Sequence, residues 1–195
     1  MAFFKKYKIR RLEKKLKSLQ DQRKHDQPSV EALKKEKALC YKLAKIYLTL
    51  FGKKKFPFAR EMAMECYRAA ASIEDADAQY FLAQHCLDEA KLREGLQERG
   101  PYASASNIRL MNALYEEAHA YLQAAEALKH AHAKRLRGLC FIYGWGVSPD
   151  KDRGFELVVQ SIEQENAWEK IPQIFAEIGL NKPEFFAAIM KRRQQ

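Results

Sequence analysis

Apolar residues along this chain recur at intervals of three and four, and no stretch alternates apolar with polar as a half-buried strand would. The pattern therefore predicts helices throughout. Ile9, Leu12, Leu16 and Leu19 form one stripe of a first helix that stops at Asp26-Gln27-Pro28. Ser29 stands where an N-cap is wanted for a second helix running to about Phe51. Residues 63–82 read as the end of one helix followed by the start of the next. An overlong helix ends near Glu98, and another starts after Asn107. Near the C-terminus, 167–179 reads as one helix with Pro172 in its first turn and Gly179 as its stop. Asn181 then caps a final helix whose Phe185, Phe186, Ile189 and Met190 face inward, and Lys191-Arg192-Arg193 complement its C-terminal dipole.

Residues 131–167 hold the most specific local pattern. Ala131-His132-Ala133, Gly138 and Phe141 lie on one helix, and Gly144-Trp145-Gly146-Val147 follows it. Glycine reaches positive φ without steric cost, so two glycines this close let a helix end and the chain reverse. Asp150, after Pro149, is placed to cap a helix over Lys151–Gln164 with Phe155, Val158, Val159 and Ile162 on one face. A helix–turn–helix of this size cannot bury its apolar face alone, so it implies stacked neighbours.

The segment resembles the Sel-one-like repeat, a relative of the tetratricopeptide repeat, whose pattern runs A-x-A-x-x-x-L-G-x-x-Y-x-x-G-x-G-V-x-x-D-x-x-x-A and continues to an A-A pair. Ala131, Ala133, Gly138, Gly144, Gly146, Val147 and Asp150 fall in register, and Phe141 replaces the tyrosine. The departures are Arg137 for the leucine, Gly154 for an alanine and Ser161-Ile162 for the A-A pair. Residues 63–82 match in another phase through Tyr67, Ala70-Ala71, Ala76, Ala78, Gln79, Tyr80 and Leu82. Weaker copies are Leu43-Ala44 with Tyr47 and Gly52, and Ala118, Tyr121 and Ala124-Ala125. Leu43 to Leu82 is 39 positions but Leu82 to Arg137 is 55, which places an insertion near 90–112. The resemblance implies an all-α fold: a short α-solenoid of about three helix-turn-helix repeats with capping helices at both ends. It also implies a non-catalytic protein–protein interaction adaptor or scaffold, a component or accessory factor of a bacterial assembly or secretion-associated complex. Its groove would be lined by the first helices of the repeats, at Gln79, Gln84, Arg135 and Arg137.

Composition adds a strong asymmetry. The net charge is +10, but residues 1–55 hold 18 Lys and Arg against 5 Asp and Glu, whereas 56–195 hold 17 against 20. This divides the chain into a basic amphipathic N-terminal helix, 1–27, and a helical repeat domain, 28–195. Around the leucine stripe lie Lys5, Lys6, Lys8, Arg10, Arg11, Lys14, Lys15 and Lys17, with Phe3, Phe4 and Tyr7 at the start. Three uses of this helix compete: an end cap packed on residues 30–51, a membrane-surface helix on anionic lipid, and a docking element for an acidic protein or partner helix. The membrane use gives the alternative function, a peripheral membrane protein anchored by this helix. Nucleic acid ranks last, since no stacking motif accompanies the charge. Lys53-Lys54-Lys55, before Phe56-Pro57-Phe58, occupies a turn that could enlarge one basic surface.

No run approaches the roughly 18 apolar residues a membrane-spanning helix needs, and the N-terminus lacks the apolar core of a secretory signal. The expected location is cytoplasmic, or peripheral on the cytosolic membrane face. Cys40, Cys66, Cys86 and Cys140 are scattered within apolar stretches and read as small buried hydrophobes in a reducing compartment. His85 beside Cys86 lacks a second ligand pair, His130 and His132 point to different sides of a helix and His119 lies about three turns earlier, so no metal site is expected. No catalytic motif is present either. The expectation is one or more protein partners, no cofactor and no small-molecule substrate.

Overall fold

A computed structural model describes the backbone of residues 2–98, 100 and 103–193, and the side chains of 6–98, 100 and 103–191. The side chains of Phe3, Phe4, Lys5, Arg192 and Arg193 lie outside the described residues. Among the described residues the chain is all-helical and has no strand. No helix there is long and apolar enough to cross a membrane. The chain divides into two compact units, Met1–Leu82 and Ala83–Gln195, and the division falls within one helix.

The first unit holds α1 (Ala2–His25), α2 (Val30–Leu48), α3 (Ala59–Ala71) and the start of α4 (Ala76–Glu98). Ile9, Leu12 and Leu16 are buried, and the stripe that carries them packs on α2. Leu19 is only half-buried. Glu13 accepts a hydrogen bond from the Tyr47 hydroxyl, and Arg23 pairs with Glu36 at 3.4 Å, so α1 and α2 run antiparallel. Ser29 caps α2 as predicted, its Oγ accepting from the Ala32 N–H at 3.1 Å. The helix ends at Leu48 rather than Phe51, in a turn that closes through Gly52 at φ +78°. On α3 the buried face is made largely of Ala59, Ala63, Ala70 and Ala71, which lets the backbone of α2 come close. Asp75 caps α4 through the Ala78 N–H at 2.9 Å and also accepts from the Tyr41 hydroxyl at 2.6 Å. One carboxylate thus ends one connection and fastens it to α2.

The second unit holds the rest of α4, then α5 (Ala105–Ala127), α6 (Ala131–Tyr143), α7 (Lys151–Gln164), α8 (Ile171–Glu177) and α9 (Pro183–Arg193). Among the described residues, the stretch near 90–112, where an insertion was expected, is mostly helix. α4 continues to Glu98, and α5 starts at Ala105 rather than after Asn107. Ser104 is the cap, accepting from the Asn107 N–H at 3.0 Å. Asn107 instead uses its side-chain amide to bond the Arg93 carbonyl at 2.9 Å, tying the start of α5 to α4.

Contact is closest between α6 and α7. A Cβ on Gly138 would sit 2.6 Å from the Gly154 carbonyl oxygen, and one on Gly154 would sit 2.5 Å from that of Gly138. Gly154, read from sequence as a departure from an alanine, is therefore half of a reciprocal close approach. Beneath this crossing, Leu139, Val158 and Ile162 join Phe175, Leu180 and Ile189 in one core. Each such side chain, fully buried, is worth about 1.5–3 kcal/mol of transfer free energy. Residues 167–179 are not one helix: Trp168–Lys170 form a 3-10 turn, and α8 begins after it with Pro172 in its first turn. Proline lacks the N–H and crowds the preceding turn, so the α-helix starts at it rather than running through it. Gly179 ends α8 at φ +75°. Met190, expected to face inward, is 50% exposed.

Candidate functional site

The turn at 143–150 is a built structure. Gly144 adopts φ +76° and ends α6, and the Trp145 N–H returns to the Cys140 carbonyl at 2.9 Å. The Asp150 N–H reaches the Phe141 carbonyl at 2.8 Å, and its carboxylate caps α7 through the Arg153 N–H at 3.0 Å. Gly146 has φ +69°, and a Cβ there would lie 2.2 Å from the Tyr115 carbonyl oxygen. Trp145 stacks on Tyr143 at 4.8 Å and lies parallel to Tyr115 at 6.1 Å, with the Lys91 ammonium 4.1 Å from its ring centre. Val147 is half-buried beside it. Gly138, Gly144, Gly146, Val147 and Asp150 all serve this turn or the crossing next to it.

The four predicted groove residues stand in different local surroundings. Gln79 is buried, and its amide donates to the Ala71 carbonyl at 3.2 Å. Gln84 is exposed on α4. Arg135 is buried on α6, bonded to the Ser161 hydroxyl at 3.2 Å and to Glu165. Arg137 pairs with Glu126 at 2.6 Å and lies over the Phe141 ring at 5.4 Å. Two departures from the repeat pattern thus have local reasons. Ser161 receives Arg135, and Arg137 has its own carboxylate. The histidines are likewise engaged. His130 caps α6 through the Ala133 N–H at 3.0 Å, and His132 lies 3.3 Å from Glu165. His119 packs edge-on against Phe141, and burial there, with Arg137 and Arg153 nearby, lowers its pKa.

The basic residues of α1 are placed differently. Lys6, Lys8, Arg10, Arg11, Lys14, Lys15 and Lys17 are all exposed, and the first turn carries no acidic residue. Two of the grooves along the helix also involve its neighbours. One, about 530 Å³, has Leu19, Ala38 and Leu39 in it and Lys15, Lys35 and Lys42 at its edges. The other, about 460 Å³, lies between α1 and α3 and is lined in part by Leu16, Tyr47, Met62 and Cys66. Lys6 also lies 5.8 Å from the Phe56 ring, so the start of α1 meets the α2–α3 connection.

Beneath this face lies a buried carboxylate that the apolar pattern alone does not predict. Glu36 is 1% exposed, at a position of α2 shared with Cys40, Leu43 and Tyr47. Burial raises its pKa, and the Arg23 guanidinium works against that rise. A carboxylate on the apolar stripe of an amphipathic helix was the available signal. Among the described residues, no group of three or more His, Cys, Asp or Glu is placed to hold a metal ion. No protein-family model matches this chain, and no curated protein matches it either.

Proposed function

We propose that this chain is a non-catalytic adaptor of the Sel-one-like type, a short helical-repeat solenoid that recognises an acidic protein through the basic face of α1 and the lysine-edged groove between α1 and α2. The observation that carries the reading is the contrast between two sets of cations. Arg135 and Arg137 are consumed by carboxylates of their own unit, whereas Lys6, Lys8, Arg10, Arg11, Lys14, Lys15 and Lys17 of α1 stand exposed, with Lys15 at a groove that has an apolar floor. An apolar floor with a cationic rim suits an amphipathic helix with an acidic border. By the same resemblance, we place the protein on the cytoplasmic side, as an accessory to an assembly or secretion-associated complex.

The test uses the full chain, because removing α1 would uncover Leu43 and Tyr47. Wild-type protein and a Lys14→Glu/Lys15→Glu/Lys42→Glu variant are compared as affinity baits in native lysate, with cross-links mapped by mass spectrometry. An acidic protein that cross-links to α1 or α2 in the wild type and is lost with the variant is the expected result. A specific partner held equally by both places recognition elsewhere and removes this reading.

A further inference from the structure

We propose that one end of the first unit, where the start of α1 meets the α2–α3 connection, is a docking surface for an anionic phospholipid membrane. This goes beyond the protein-binding reading and does not depend on it.

Three observations converge on that end. The first is position. The antiparallel packing of α1 on α2 brings the beginning of α1 to the end of α2, and the 5.8 Å approach of Lys6 to Phe56 fixes the contact. The second is charge. The start of α1 carries Lys6, Lys8 and Arg10, and the connection that Lys6 approaches carries Lys53, Lys54 and Lys55, all exposed. Each Lys or Arg held near an anionic leaflet raises affinity about fivefold. The third is exposed aromatic surface. Tyr7, Phe51 and Phe58 are 64%, 60% and 70% exposed, although the same unit buries Tyr47 to 5%.

Charge and aromatic exposure together decide the occupant. A solvated lysine loop needs no bare phenylalanines beside it. Aromatic rings among lysines match a bilayer interface, where rings enter the headgroup boundary while ammonium groups stay with the phosphates. The turn holds the rings on a short, hydrogen-bonded connection: Leu50 N–H to Tyr47 O at 2.8 Å, Lys53 N–H to Leu50 O at 3.1 Å, and Phe56 N–H to Lys53 O at 2.8 Å. A connection already ordered loses little conformational entropy on binding.

The experiment is sedimentation of the full chain with vesicles of phosphatidylcholine alone and of a phosphatidylcholine–phosphatidylserine mixture. Two variants accompany it, Lys53→Ala/Lys54→Ala/Lys55→Ala and Phe51→Ser/Phe58→Ser. All five positions are exposed, and circular dichroism verifies that each variant keeps its helices. The expected result is binding to the mixed vesicles only, weakened by added salt. The lysine variant should lose about a hundredfold in affinity, from about 1 kcal/mol per charge. The aromatic variant should lose about tenfold or more while keeping its salt dependence. No binding to the mixed vesicles overturns the proposal, as does equal binding to both compositions. Unchanged binding by either variant overturns it too. Tighter binding to a single-stranded oligonucleotide than to mixed vesicles, lost with the same aromatics, would assign the surface to base stacking instead.

Discussion

Glu36 shows how a single side chain makes stability depend on pH. Its carboxyl is buried on α2, with Arg23 3.4 Å away as a partial counter-charge. Burial raises its pKa, so the folded state holds the proton more tightly than the unfolded chain does. The sign follows. Between the ordinary glutamate value and the raised folded one, stability falls as pH rises, because the fold must bury a charge. Glu36→Gln removes the titration, and the variant should lose that downward slope in denaturant melts taken across the carboxylate range. An unchanged slope would place the titration on another group. At this scale the sequence was partly legible. The caps Ser29 and Asp150 were readable because a short polar side chain before an apolar run has one economical use. Glu36, Arg135 and Ser161 were not, since their partners are distant in sequence: Arg135 reaches residues 26 and 30 positions away.

The element that constrains the second unit most tightly is the turn between α6 and α7. Gly146 is fixed twice, by φ +69° and by the Tyr115 backbone where a Cβ would go. Valine at positive φ costs on the order of 1–3 kcal/mol by itself, before the collision is relieved. Gly146→Val should therefore lower the melting temperature by several degrees or more, at roughly 2–4 °C per kcal/mol for a chain of this size. A calorimetric melt matching wild type would mean the turn is not held as described. This turn was legible because glycine spacing and a capping aspartate are local signals. The start of α5 and the break near Pro172 were harder to place. Each depends on which of several nearby residues caps or bends the chain, and tertiary contacts such as Asn107 to the Arg93 carbonyl decide it.

Across the molecule, the thiols give a direct test of core packing in both units. Cys40 and Cys66 are buried in the first, and Cys86 and Cys140 in the second. Burial, first among the causes, pushes Cys40, Cys66 and Cys140 up to about 12, so no appreciable thiolate exists near neutrality. A colorimetric disulfide reagent at neutral pH should react slowly with native protein and titrate all four thiols at once in denaturant. Prompt reaction of the native chain would show that one of these cores opens readily. The charge asymmetry was fully legible, since counting needs no geometry. The grooves beside α1 were not, because they exist only once α1 lies on α2 and α3.

Trp145, stacked among Tyr115, Tyr143 and Lys91, has an optical consequence. The chain has two tryptophans, Trp145 and Trp168, and both fall within Ala83–Gln195. Indole emission is therefore a reporter on that half alone, blind to the cationic end of the chain, while backbone ellipticity records both halves. Following the two signals through one denaturant titration separates a concerted transition, with superimposable curves, from a stepwise one, in which the indole signal finishes early or late. Tyr115, distant from Trp145 in sequence but 6.1 Å from it in the fold, adds excitation energy transfer that falls as this half unfolds.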